Sequence, residues 1–205
     1  MIFEHVSKSY GQTEVLRDLS LTLPERGIVG FFGPSGSGKT TIFHLISKLL
    51  VPDSGRIEGQ GRVSVVFQED RLLPWISAAE NIEAVTGIKG SASSYLNLVQ
   101  LFGSEKKYPD ELSGGQKRRV ALARALAYDA KVLLLDEPFN GIDEETKEGI
   151  YPLIIERARD SLVLIATHVS QELCRLCDRI YLLSGPPVLI KEVLDHENIQ
   201  KKFCG

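Results

Sequence analysis

Long apolar runs are missing from this sequence: no stretch approaches the roughly 18 to 20 consecutive apolar residues that a membrane-spanning helix needs. The start, Met1-Ile2-Phe3-Glu4-His5, lacks a basic segment followed by an apolar one, so neither a spanning segment nor a secretion signal is expected. Cysteine is scarce. Three residues, an odd number, do not make a disulfide framework and fit a reducing compartment, with the cytosol as the default location. Excess charge of either sign is absent as well; a net charge of −3 gives no bias toward nucleic acid or anionic lipid. Repeats, low-complexity tracts and long charge runs are lacking, which leaves glycine, proline and the hydrophobic pattern as the punctuation.

What is present fits one principal domain over residues 1–205, since a chain of 205 residues can bury one sizeable core. Gly30-Phe31-Phe32, Val63 to Phe67, Val132 to Leu135 and Leu162 to Ala166 are short runs apolar on consecutive positions, the pattern of strands covered on both faces. Helical segments alternate with them: Thr40 to Leu50, Gly115 to Ala127, Glu144 to Arg159 and Ser170 to Asp178. The alternation predicts an α/β fold with a mostly parallel core sheet. Leu19, Leu21 and Leu23 alternate with polar residues, which predicts a small N-terminal antiparallel sheet. Strand signals vanish between about Ser77 and Leu112, where Ala78 to Val85 and Ser94 to Phe102 read as helices. A short helical subdomain over about 77–127 is expected. A hairpin, Ile180 to Leu183 with Val188 to Ile190, is expected near the end, followed by a short polar tail.

The chemistry begins at Gly33-Pro34-Ser35-Gly36-Ser37-Gly38-Lys39-Thr40, which has the spacing G-x-x-x-x-G-K-[ST] between an apolar strand and a helix, the signature of a P-loop NTPase. The glycines let consecutive backbone N–H groups point inward at phosphate oxygens, and the following helix adds its positive end. Lys39 suits the β- and γ-phosphates of ATP. Thr40 offers a hydroxyl to Mg²⁺, and the residues through Thr41 complete the phosphate ligands.

Val132 to Leu135 run into Asp136-Glu137. In an open parallel sheet, ligands lie beyond the carboxyl ends of the strands, so these two carboxylates are expected to face the triphosphate. Asp136 suits Mg²⁺; Glu137 suits polarisation of the attacking water. His168 closes another strand at the same edge, where its imidazole can orient Glu137 and water.

Leu112-Ser113-Gly114-Gly115-Gln116 precedes an Ala-, Leu- and Arg-rich helix, with Ser113 in the cap position and two glycines leaving the helix mouth open to an anion. With this pentapeptide the sequence resembles the ATP-binding cassette (ABC) family over nearly the whole chain. The resemblance implies that Tyr10 stacks on adenine, that Gln68 senses Mg²⁺ and the attacking water as a metal-side and catalytic residue, and that Asp143 communicates across subunits. It also implies a second cassette as partner, head to tail, each ATP lying between one cradle and the other subunit's Ser113-Gly114-Gly115-Gln116. The pattern departs from the family at Asn140-Gly141-Ile142, and the helical lobe is short.

Val66-Phe67-Gln68-Glu69-Asp70-Arg71-Leu72-Leu73-Pro74-Trp75, followed by Asn81-Ile82, looks like the subfamily that powers uptake of nitrate, sulfonates, taurine and related small anions or nutrients. That likeness implies membrane permease subunits, an extracytoplasmic solute-binding protein and residence on the inner face of the cell membrane. A loop bearing Leu73 and Trp75 beside Gln68 suits a groove for a permease helix. A cassette used as a mechanical or regulatory module outside transport is the competing expectation. Cys174-Arg175-Leu176-Cys177 lacks the four ligands of a structural zinc site and reads as one buried helix face, with Cys204 in the tail.

Overall fold

The computed structural model of the chain describes residues 1–59 and 61–204. The first strands, β1 (Ile2–Tyr10) and β2 (Thr13–Thr22), form an antiparallel pair turned at Gly11-Gln12; β3 (Gly27–Phe32) and helix α1 (Lys39–Ile46) follow. Strand β4 (Ser54–Glu58) pairs antiparallel with β1, giving a three-stranded sheet ordered β2-β1-β4. Next come β5 (Val63–Val66), α2 (Ala78–Thr86), α3 (Ala92–Leu98), a 3-10 turn (Pro109–Glu111) and α4 (Gly114–Ala127). The rest is β6 (Val132–Asp136), α5 (Glu144–Ala158), β7 (Leu162–Thr167), α6 (Ser170–Leu176), β8 (Arg179–Ser184), β9 (Leu189–Asp195) and α7 (His196–Phe203).

The larger sheet is ordered β5-β6-β7-β3-β8-β9, parallel except for β9. Strands β6 and β7 are buried at every position, and their side chains divide by parity as a pleated strand requires. Leu133, Leu135, Val163 and Ile165 enter the core under α4 and α5, with Val120, Leu122, Ile150 and Ile154. Val132, Leu134, Leu162, Leu164 and Ala166 enter a second core with Ile42, Phe43 and Ile46 of α1 and Phe3, Val6 and Leu16 of the small sheet. A sheet covered on both faces is the α/β architecture expected from the consecutive apolar runs.

Helices α2 and α3 join the first core through Ala78, Ile82, Ala92 and Leu96, so the helical segment shares its hydrophobic interior with the parallel sheet. Ser77 caps α2 with a reciprocal box to Glu80. The buried Asn81 accepts from Leu73 N and donates to the carbonyls of Leu73, Ile76 and Ser77, which fixes the loop before α2.

Several expectations at element ends are corrected. Helix α1 stops at Ile46 rather than Leu50, because Lys48 takes a left-handed φ of 60°. The polar tail is helical: Asp195 caps α7, whose Ile199 is fully buried and whose Phe203 ring lies edge-on to Phe32. Packing of α7 beside α6 brings the Cα atoms of Cys174 and Cys204 to 5.9 Å, and the two form a disulfide. Cys204 is therefore not a loose end of the tail, and Cys174 is tied to it rather than only packed on a buried helix face; Cys177 alone is free and buried. Among the described residues no helix is long and apolar enough to cross a membrane.

Candidate functional site

Four adjacent strands deliver their carboxyl ends to one place. In sheet order, β5 leads to Gln68, β6 to Asp136-Glu137, β7 to His168 and β3 to the glycine-rich loop. A cleft of about 310 Å³ opens there, lined by Val15, Ser35, Gly36, Gly38, Lys39, Thr40, Thr41, Gln68, Asp136 and Glu137. A larger cleft of about 690 Å³ lies between α5, α6 and α7, but it gathers none of these groups. The smaller one is the candidate, because it holds the convergent polar chemistry at the strand ends where ligands of such sheets bind.

The loop from Gly33 curls because its glycines accept conformations closed to other residues. Gly38 has φ 92°, and a Cβ there would lie 2.3 Å from a Val188 methyl. Lys39 Nζ donates to the carbonyls of Gly33 at 2.7 Å and Pro34 at 2.9 Å, so the ammonium is drawn back over the loop it must serve. Burial lowers the Lys39 pKa, while Asp136 and then Glu137 pull it upward. Thr40 Oγ1 donates to Asp136 Oδ2 at 2.9 Å. Burial raises the Asp136 carboxyl above its ordinary range against that hydrogen bond.

A hydroxyl and a carboxylate in contact, with the Gln68 amide on the same wall, form an all-oxygen donor set that suits a hard divalent cation such as Mg²⁺. Among the described residues no group of three or more His, Cys, Asp or Glu side chains could hold a metal by itself. An ion shared between one carboxylate, one hydroxyl and phosphate oxygens matches so sparse a set.

Glu137 sits just past β6 with φ 47°, a region uncommon for residues other than glycine. Its N–H donates to the Ala166 carbonyl at 2.8 Å, which pins the turn to β7 and sends the carboxylate into the cleft. Two neighbours hold that carboxylate. His168 Nδ1 shares a hydrogen bond of 3.1 Å with Oε1, and Asn140 Nδ2 donates to Oε2 at 2.6 Å. Behind His168, Thr167 donates its hydroxyl at 2.6 Å to Glu172, a buried carboxylate also paired with Lys147 at 3.6 Å.

Ser113, Gly114, Gly115, Gln116, Asp143 and Tyr10 lie outside this cleft. Ser113 caps α4 in a reciprocal box with Gln116. A Cβ on Gly115 would stand 2.4 Å from the Gly141 carbonyl, so glycine there permits the approach of the loop after Glu137. Asp143 caps α5 through Thr146 N at 2.9 Å. Tyr10 is 47% exposed at the end of β1, as Trp75 is at 71% on the loop before α2.

Val15 and Asn140 belong to the site yet were not singled out from sequence for it. Val15 contributes only apolar surface, and the Asn140 contact depends on the unusual backbone of Glu137.

The family model described as ABC transporter matches residues 16–140. The chain is 41% identical over 188 residues to the aliphatic sulfonates import ATP-binding protein SsuB 1 of Rhodococcus jostii (strain RHA1), a match covering 87% of this chain and 77% of that protein. It is 37% identical over 202 residues to the formylaminopyrimidine import ATP-binding protein ThiZ of Halalkalibacterium halodurans, covering 92% and 81%. Among solved structures, a dimeric ATP-binding cassette in a post-hydrolysis state bound to ADP and Pi superposes with a TM-score of 0.82 at 27% identity, over 95% of this chain and 98% of that one. The matched family model and these relatives, in keeping with the glycine-rich cradle, the acidic strand end and the capped second helix, make the chain a member of the ABC transporter family.

Proposed function

We propose that the chain is the ATP-binding and ATP-hydrolysing subunit of an ABC importer, working as one half of a head-to-tail pair of cassettes. The observation that carries this reading is the cluster at four neighbouring strand ends: Lys39, Thr40–Asp136, Gln68, and Glu137 held between His168 and Asn140. The loop 33–41 binds the phosphates of ATP, with Lys39 exchanging its backbone acceptors for the β- and γ-oxygens. Thr40, Asp136 and Gln68 hold Mg²⁺, which when bound neutralises charge on the phosphates. Glu137 polarises water for attack on the γ-phosphate, and His168 and Asn140 keep its carboxylate aimed.

The second cassette supplies Ser113 to Gln116 to the same nucleotide, Tyr10 stacks on adenine, and Asp143 meets the partner across the interface. Residues 77–127 act as the helical subdomain of a single cassette domain. The exposed Trp75, with Leu73, on the loop just before that subdomain forms the surface that receives a cytoplasmic helix of a permease, so the chain resides on the inner face of the cell membrane. The solute is a small anion or nutrient delivered by an extracytoplasmic binding protein. The relatives named for sulfonates and for a formylaminopyrimidine share this cassette at similar identity, in keeping with a solute choice made by other chains.

The cradle is tested by calorimetry on Lys39→Ala. Loss of the ammonium should weaken ATP binding at least about tenfold, in line with a charged hydrogen bond of about 1.5–3 kcal/mol. Unchanged affinity would contradict it.

A further inference from the structure

Helix α4 carries a guanidinium in its buried face. Arg118 is 2% exposed, and its N–H groups reach two turns remote from it and from each other in sequence. Nε donates to the Pro138 carbonyl at 3.0 Å, and one terminal nitrogen donates to the carbonyls of Asp136 and Glu137, each at 2.5 Å. The other terminal nitrogen donates to the carbonyls of Phe67 and, at 3.4 Å, Gln68, and meets the Asp70 carboxylate at 3.2 Å. Burial lowers the Arg118 pKa, and Asp70, then Asp136 and Glu137, oppose that fall. Further along the same helix, Arg124 donates to the Arg71 carbonyl at 3.0 Å and the Asp70 carbonyl at 3.2 Å, holding the first of the two turns from another side.

Burying a guanidinium is costly, and an apolar side chain fills such a position at lower cost unless the ion does something more. What Arg118 does here is join carbonyls 67–68 to carbonyls 136–138 through one rigid planar group. These two turns present Gln68 and Glu137 to the cleft. The helix that carries the guanidinium begins at the Ser113 cap.

We propose that Arg118 is a positioning residue: it fixes the Gln68 and Glu137 turns to the helix that starts at Ser113. Engagement of that helix end by a nucleotide then sets the aim of Glu137 in the chain's own cleft, so the two sites of a cassette pair fire in concert. Arg118 itself touches neither nucleotide nor water. The proposal rests on the reading of the chain as a paired cassette ATPase.

The test is steady-state hydrolysis of Mg-ATP by the full chain and by Arg118→Gln, which keeps an amide donor but cannot bridge both turns. Rates are normalised to nucleotide-binding sites counted by calorimetry, so misfolded protein drops out. The turnover number should fall about tenfold to a hundredfold, the size expected from a small misplacement of a catalytic group, with KM for ATP changed by no more than about twofold. A purely structural role would reduce the number of sites and leave turnover per site intact, and that result would overturn the proposal. Arg118→Gln and Gln68→Ala should also be non-additive; simple multiplication of their effects would count against it.

If Arg118→Gln does not fold, hydrogen exchange on Glu137→Gln with Mg-ATP decides. Amides 67–70, 136, 137 and 114–118 should gain protection together, and independent protection would overturn the linkage. Lys39→Ala separates the two readings: ATP affinity unchanged in that variant sinks the ATPase reading, whereas a normal Arg118→Gln beside an impaired Lys39→Ala sinks only the role given to Arg118.

Discussion

Glu137 holds a left-handed backbone conformation that costs a non-glycine residue on the order of 1 kcal/mol, and the surrounding hydrogen bonds keep it there. Its carboxylate is gripped from two sides, by His168 and by Asn140. Loss of one hydrogen bond to a charged group is worth about 1.5 kcal/mol, roughly tenfold in rate. Asn140→Ala should therefore slow turnover by about that factor while ATP affinity, measured by calorimetry, stays put; a wild-type rate would show that His168 suffices. Glu172 offers a pH test. Burial raises its pKa in the folded chain above the ordinary carboxylate range, against Thr167 and Lys147. From the ordinary range up to the raised value the native state therefore holds a proton that the unfolded chain has released. Stability contributed at this site is present below that window, falls as pH rises through it, and levels off above. Urea midpoints of the wild type and Glu172→Gln should diverge in that sense, and parallel curves would contradict it. Glu172, Asn140 and Arg118 were not legible as site residues in the sequence. Each works through backbone or side-chain contacts with segments whose nearness only the folded chain creates.

At the scale of elements, the consecutive apolar runs of β6 and β7 announced a doubly covered sheet, and parity divided their side chains between two cores as a pleat must. The cradle was legible because its glycines and its Lys-Thr pair serve one ligand chemistry at fixed spacing. The chain after β9 was not legible. His196 to Phe203 looks polar because a short amphipathic helix needs few apolar residues, here Ile199 and Phe203, to dock. The disulfide was hidden for the same reason, since Cys174 and Cys204 lie 30 residues apart and meet only when α7 packs on α6. Thiol titration of the unfolded chain should count one free group without reductant and three with it. Cross-linking a loop of this size is worth about 3.6 kcal/mol, so reduction should lower the urea midpoint; three thiols without reductant would contradict the pairing.

At the scale of the whole molecule, the sheet order places Gln68, Asp136-Glu137, His168 and the cradle at the ends of neighbouring strands, so the residues proposed for hydrolysis gather at one end of the sheet. Ser113 to Gln116 stand outside that cleft, at the capped start of a separate helix, and the proposed pairing gives them to the partner's nucleotide. Sequence pattern alone supplied the helix cap; the idea of a shared site came from the resemblance to the cassette family. Glu137→Gln joins hydrolysis and pairing in one variant, since it removes the base and leaves the phosphate contacts untouched. Size-exclusion chromatography with light scattering, run with and without Mg-ATP beside a phosphate-release assay, should find turnover reduced at least about a hundredfold and an ATP-dependent dimer. Wild-type hydrolysis by this variant, or a monomer unmoved by saturating ATP, would contradict the central claim that Glu137 drives ATP cleavage at a site shared by two cassettes.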